Sequence, residues 1–372
     1  DSSTIDVDDA RTARSLALAA GHRGMDAPVS GGVGGATAAT LTIPGRLSGS
    51  DALSLRSNVA GAGTFFLTGN NSGYSGAISV DAPTAGTGGL TTLRPASQQA
   101  VPLTGSITLN YPATGVTGNA TTLDLPGVTL PVGLGLNLTS QLNGAVSLRT
   151  QLTSTGDSVV NGPMTLAGNS IIQCVMASGS MTLNGNITEG GSGFTGIMFI
   201  RGAGGTGFIN GNINLPSATF SKTDANNWWI NTNGHSWLNT NVVVGTVTLG
   251  INDALVPAAP LILGQNDANA VTVNLNGFNQ TVASLASNPT VVGTFTTGKA
   301  ITSATPSVFT VSQFTSTIYA GLITGRVSFV KEGSGTLTLS GASTFTGNVT
   351  INDGIINAAG ATVTSLGSAT AG

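Results

Sequence analysis

The stretch that decides the fold is 323–351, ITGRVSFVKEGSGTLTLSGASTFTGNVTI. A leading strand runs into a small G-x-G-T turn at Gly333–Thr336, and a second strand ends at Gly341. A turn rich in Ser and Thr follows, then Phe345-Thr346-Gly347 before another strand. Residues 47–80, LSGSDALSLRSNVAGAGTFFLTGNNSGYSGAISV, pass through the same series, with the turn at Gly61–Thr64 and Tyr74-Ser75-Gly76 in the last position. Phe194-Thr195-Gly196 repeats that final element, and Trp237-Leu238-Asn239 is a degenerate copy. A fixed order of short strands and tight turns, recurring along one chain, is the mark of a stacked-turn architecture.

The rest of the chain has the same texture. Runs such as Ser106–Asn110 (SITLN), Val242–Leu249 (VVVGTVTL) and Val271–Leu275 (VTVNL) alternate apolar and polar residues and end at Gly or Asn. They read as half-buried strands. The convincing helical candidate is Asp8–Ala20, with an acidic start and Gly21 as its stop. Four prolines, Pro102, Pro112, Pro126 and Pro131, mark 90–180 as a region that either continues the solenoid or forms an inserted β region. The expected division is an N-terminal segment 1–35, acting as a cap or an assembly arm, and a solenoid over 36–372.

Composition narrows the function. Charged residues are 7 % of the 372, the net charge is −3, and 54 residues are glycine. The glycines follow no three-residue period, which excludes collagen. A 40 % hydrophobic content argues against disorder. Apolar runs such as Ile171–Ala177 fall far short of the ~20 residues a membrane-spanning helix needs. Three lysines and nine arginines, scattered along the chain, make no stripe for nucleic acid. The start at Asp1, with no methionine or charged-then-apolar leader, is what a mature secreted product or a trimmed chain would show.

The segment Lys331–Gly341 (KEGSGTLTLSG) resembles the autotransporter-associated β-strand repeat of secreted and surface proteins of Gram-negative bacteria. Gly245–Leu263 (GTVTLGINDALVPAAPLIL) and Val273–Leu285 (VNLNGFNQTVASL) resemble the segment that commonly follows it, so the similarity covers 45–82 and 230–357. The resemblance implies a right-handed parallel β-helix, a location outside the cell, and a structural or adhesive role. At ~22 residues per turn the chain would wind ~15 turns into a rod of about 70 Å. One departure from the family pattern is the C-terminus. Ala361–Gly372 is small and polar and does not read as an outer-membrane barrel. The expectation is a barrel removed, or never part of the protein.

Catalytic and cofactor motifs fail on context, so no cofactor and no metal site is expected. Gly202–Gly207 (GAGGTG) matches G-x-G-x-x-G after a strand, but the next residues, FINGNINLP, read as a strand where a dinucleotide site needs a helix. Gly293–Lys299 (GTFTTGK) lacks the hydroxyl after its lysine, since Ala300 follows. The histidines are His22 and His235, and no G-x-S-x-G elbow occurs. Cys174, inside IIQCVMA, reads as a small buried hydrophobe. The acidic cluster Asp6-Val7-Asp8-Asp9 suits helix capping. Asp224, Asp253 and Asp267 form the trio to test for polysaccharide cleavage.

The aromatic residues carry the remaining signal. Trp228 and Trp229 are the candidate ligand or subunit contacts: in a strand one indole is buried and the other faces out, whereas a bulge would bury both. Tyr74, Gly76, Phe194, Gly196, Trp237, Gly335, Phe345 and Gly347 define the repeat and are expected to be structural. The near absence of surface charge favours a subunit that assembles with itself into a filament, tube or sheath, through strand edges and uncharged faces. A monomeric adhesin binding glycans is the alternative, and a polysaccharide-acting enzyme comes third.

Overall fold

The computed structural model describes residues 38–57, 62–83, 89–111, 119–140, 150–191, 196–264, 269–287 and 298–359. Among them the chain is all-β: every paired strand lies parallel to its partner, and the sole helical element is a 3₁₀ turn at Gln98–Ala100. The helix expected at 8–20 and the repeat position Phe194 lie outside the described residues.

The result is a parallel β-solenoid whose turns present three faces. On the first face a continuous inward ladder passes through Leu41, Phe65, Leu93, Leu123, Leu152, Ile172, Ile200, Lys222, Val242, Leu263 and Ser287. On the second, Leu55, Val80, Leu109, Leu138 and Leu166 stack in the same way. On the third, Leu130, Val160, Leu183, Ile209, Ile230 and Leu249 do so. The ladders converge on one core, because strand residues two apart share a face and the apolar set of each strand points inward. Burying each such aliphatic side chain contributes about 1.5–3 kcal/mol, so a short strand gains stability only when the next turn covers it.

Turn length is not uniform. One rung takes 30 residues between Leu93 and Leu123 and 20 between Leu152 and Ile172. The expected ~15 turns of ~22 residues are therefore corrected to fewer, because the ten turns from Leu41 to Ser287 take 246 residues. Strands from Leu90–Pro95 to Ser180–Leu183 pair in the same ladders as the strands on either side of them.

The repeat elements found in the sequence are corners. Tyr74 is buried and its hydroxyl donates to the Asp51 and Ala77 carbonyls (2.5 and 3.3 Å), while Gly76 lies against the Asp51 carbonyl, where a Cβ would collide. Phe345 is fully buried and its ring stands 6.5 Å from Phe329, with Gly347 pressed on the Val327 backbone. The structure adds a copy the sequence reading passed over: Tyr319 is buried, donates to Leu322 O (3.1 Å), and has Gly321 two residues on. In each copy the aromatic residue fills the corner from inside, and the glycine lets the backbone cross the previous turn at close range.

Candidate functional site

The third face turns outward three columns of side chains. The middle column runs Thr129, Val159, Thr182, Phe208, Trp229, Thr248, Asn274, Thr302 and Thr324, with Thr248 covered and donating to Asn227 Oδ1 at 3.0 Å. Beside it lie Ser180, Thr206, Asn227, Thr246 and Thr272. On the other side stand Asn161, Asn184, Asn210 and Asn231, the last three each donating an amide N–H to the side-chain carbonyl oxygen of the one before at 2.8 Å. These columns hold no charged residue, and the side column ends against exposed Asp157, whose Oδ1 accepts from the Ser180 amide at 2.6 Å.

Two aromatic rings interrupt the hydroxyls at the centre. Phe208 and Trp229 occupy the same register position on strands Thr206–Ile209 and Asn227–Ile230, and their rings stack with centroids 6.4 Å apart and planes 28° off parallel. Both are half-buried. Trp228, the adjacent residue, points the other way: it is fully buried, and its indole lies on the Cα of Gly207, the one residue on the facing rung small enough to leave it room. Its Nε1–H points to Arg201 O at 3.4 Å.

The pairing of Phe208 with Trp229 escaped the sequence reading, although a signal was present. Val159-Val160-Asn161, Thr182-Leu183-Asn184, Phe208-Ile209-Asn210 and Trp229-Ile230-Asn231 repeat one pattern: outward residue, inward aliphatic, corner asparagine. Three of the four are followed by glycine, and Gly185 and Gly211 each press on the carbonyl of the glycine one turn back. That packing brings consecutive corners close enough for the amides to join.

The remaining residues singled out in the sequence are placed inside or in turns. Trp237 is buried in a stack with Phe220 (4.7 Å) and His235 (5.1 Å), and its Nε1–H donates to Thr240 Oγ1 at 2.7 Å. His235 Nδ1 accepts from the Ile213 amide (2.9 Å), and Nε2–H donates to Thr232 O (3.0 Å). Burial pushes its pKa down to about 4. Cys174 is buried and free, and burial pushes the thiol up to about 12, which removes it as a nucleophile. Gly335 and Gly196 sit in turns of the solenoid. The G-x-G-x-x-G stretch is the turn after strand Ile197–Arg201 together with the first two residues of strand Thr206–Ile209. Asp224 and Asp253 are turn residues with positive φ (64° and 50°), and Asp267 lies outside the described residues. Among the described residues no three His, Cys, Asp or Glu side chains gather as a metal site would require, and no helix is long and apolar enough to cross a membrane.

A parallel β-solenoid with aromatic-glycine corners is the class this geometry defines. Within it, residues 59–82 and 329–358 match the passenger-associated-transport-repeat, the two stretches whose strand-turn order set the fold. Over 253 residues, 62 % of its length, the chain is 28 % identical to the adhesin BmaC autotransporter of Brucella suis biovar 1 (strain 1330). That alignment spans 7 % of the much longer relative, to which this chain is distantly related. Residues 1–52 also match the NAD binding domain of 6-phosphogluconate dehydrogenase. The described part of that match, 38–52, includes strand Ala38–Ile43, which pairs with Ala62–Leu67 as a rung of the solenoid. No solved structure matches the chain.

Proposed function

We propose that this chain is part of an autotransporter-type passenger, secreted from a Gram-negative bacterium and held outside or on the cell surface, and that it adheres to glycans without catalysing a reaction. The observation that carries adhesion is the Phe208–Trp229 stack at the centre of an uncharged hydroxyl and amide face. Aromatic edges and faces offer the C–H surfaces of sugars an apolar contact, and the surrounding Thr and Asn side chains offer hydrogen bonds. The passenger-associated repeats and the distant relationship to a protein described as an adhesin support the same reading. The test is binding of the purified chain to a panel of immobilised glycans. Phe208→Thr with Trp229→Thr, which gives the column the residue its neighbours already carry, should abolish binding and leave the melting temperature within a few degrees. A folded chain that binds no glycan overturns the proposal.

Self-assembly into a filament, tube or sheath is the second reading, with the chain as its own partner. It is favoured by the low charge of the chain, 7 % of residues, which leaves little to keep copies apart. Electron microscopy over a range of concentrations decides it: regular polymers support it, and single particles at every concentration remove it.

A further inference from the structure

We infer that the ligand of the third face is an unbranched, uncharged polysaccharide of the extended β-1,4-linked kind, lying parallel to the solenoid axis along the asparagine column. The inference rests on the reading of this face as a glycan-binding surface and names which glycan, and in which direction.

Direction follows from repetition. Adjacent rungs are about 4.8 Å apart and residues within a strand about 3.4 Å apart. Three columns spaced two residues apart make a strip about 14 Å wide, and the asparagine column, from Asn161 to Asn231, covers four rungs, about 14 Å along the axis. The same amide recurs from rung to rung along the axis and not across it, so a chain of identical units lies along the axis. An extended β-linked hexose chain advances by about one rung per sugar, so successive sugars meet successive copies of the same groups.

Hydrogen-bond accounting at the asparagines gives the chemistry. An amide has two N–H donors and two lone pairs. In the column, Asn184 and Asn210 each use one N–H toward the preceding residue and one lone pair from the following one. One donor and one acceptor remain on each, on side chains that are exposed. A sugar hydroxyl both donates and accepts, so one hydroxyl per rung matches the leftover pair. The amide-to-amide bonds hold the array in place before the ligand arrives, which lowers the cost of ordering it.

Charge sets the limit. A uronate or sulfate laid on this strip would lose water and find no cation in the three columns, and an uncompensated anion is expensive to desolvate. A neutral chain carries no such cost, and Phe208 and Trp229 supply an apolar step for the C–H face of one or two of its sugars.

The experiment is direct titration of the purified chain with β-1,4-linked glucan, xylan and mannan oligosaccharides from disaccharide to hexasaccharide, and with polygalacturonate as the anionic counterpart. Affinity should rise by about tenfold or more from the shortest to the longest of a neutral series, and polygalacturonate should not bind. Asn184→Leu with Asn210→Leu should flatten the length dependence, whereas Trp229→Thr weakens every length alike. Asn210→Lys, a single exposed change that spares the core, should shift preference toward polygalacturonate. A chain that prefers polygalacturonate, or whose affinity ignores ligand length and the asparagines, overturns the ligand class and leaves the glycan-binding face standing. No binding to any of these probes, while Trp229-dependent binding to another glycan persists, also overturns the ligand class. No binding to any glycan overturns both.

Discussion

Lys222 and Lys331 do the same task in two turns of the solenoid. Each fully buried ammonium donates to the backbone carbonyls of the two residues after it and reaches a third carbonyl twenty-two residues on, in the next turn. For Lys222 these are Thr223, Asp224 and Val244 (2.7, 2.6 and 3.1 Å); for Lys331 they are Glu332, Gly333 and Asp353 (2.6, 2.5 and 3.4 Å). In both, the residue two places on has positive φ (64° and 71°), which turns its carbonyl inward. Ser154, Ser303 and Gln313 make the same reach to the carbonyl two residues on, with shorter or neutral donors. Each lysine thus ties its own corner to the following one.

Removing the tie leaves carbonyls buried without a donor. Lys331→Met and Lys222→Met should each lower stability by about 2 kcal/mol, seen as a drop in the urea midpoint. Because a solenoid turn contacts only its neighbours, the double variant should lose close to the sum. Unchanged midpoints would mean that the three carbonyls gain little from the ammonium.

Burial pushes Lys222 down to about 7, against the pull of Asp224. Its unfolded pKa is near 10.5, so between the two values the unfolded chain binds the extra proton and stability rises with pH. That rise should appear from about pH 7 to 10 in the wild type and shrink in Lys222→Met.

His235 responds in the opposite range. Neutral, it accepts from the Ile213 amide, and protonation removes that acceptor inside a stack with Trp237. Its folded pKa of about 4 lies below the ordinary 6.5, so the stability it confers is complete above 6.5 and lost as pH falls toward 4. The loss is on the order of 3 kcal/mol. Thermal melts at pH 7 and pH 4 should show it, and His235→Gln should flatten the difference.

Gly207 and Trp228 should behave as one unit. Gly207→Ala pushes a methyl group into the indole and is expected to cost about 2–3 kcal/mol. Trp228→Leu should make the same alanine far better tolerated, and a double-mutant cycle by urea titration measures the coupling. Additive effects would mean that the ring moves aside.

These cases show how much of the molecule could be read in its sequence. Alternation in VTVNL was enough to place Val271 and Val273 inside, because the period of a strand is a local property. Tyr74-Ser75-Gly76 and Phe345-Thr346-Gly347 were recognisable because a tight corner needs both a filler and a glycine. Tyr319-Ala320-Gly321 was missed: alanine stands where Ser or Thr was the cue. The Phe208–Trp229 contact depends on a turn of 21 residues, and with turns ranging from 19 to 30 the register is set by connections that carry no periodic signal. The burial of the lysines was not legible for a different reason. A lone lysine at a strand end suggests solvent, and only the inward-turned carbonyls of the next two residues make burial tolerable.

The three lysines of the chain, Lys222, Lys299 and Lys331, are all at most 2 % exposed. Amine-specific acylation of the native protein should leave them unmodified, and acylation in urea should label all three, as mass spectrometry would show. Rapid labelling of any one without denaturant contradicts the burial.

The parallel ladders also decide how the molecule carries load. Every inter-turn hydrogen bond points along the axis, so a pull in that direction passes at full force through one ladder after another, and the weakest rung yields first. A pull along the strands is shared among many rungs as shear. Lengthwise the solenoid is a spring that lets out one turn at a time, and crosswise it is a stiff beam.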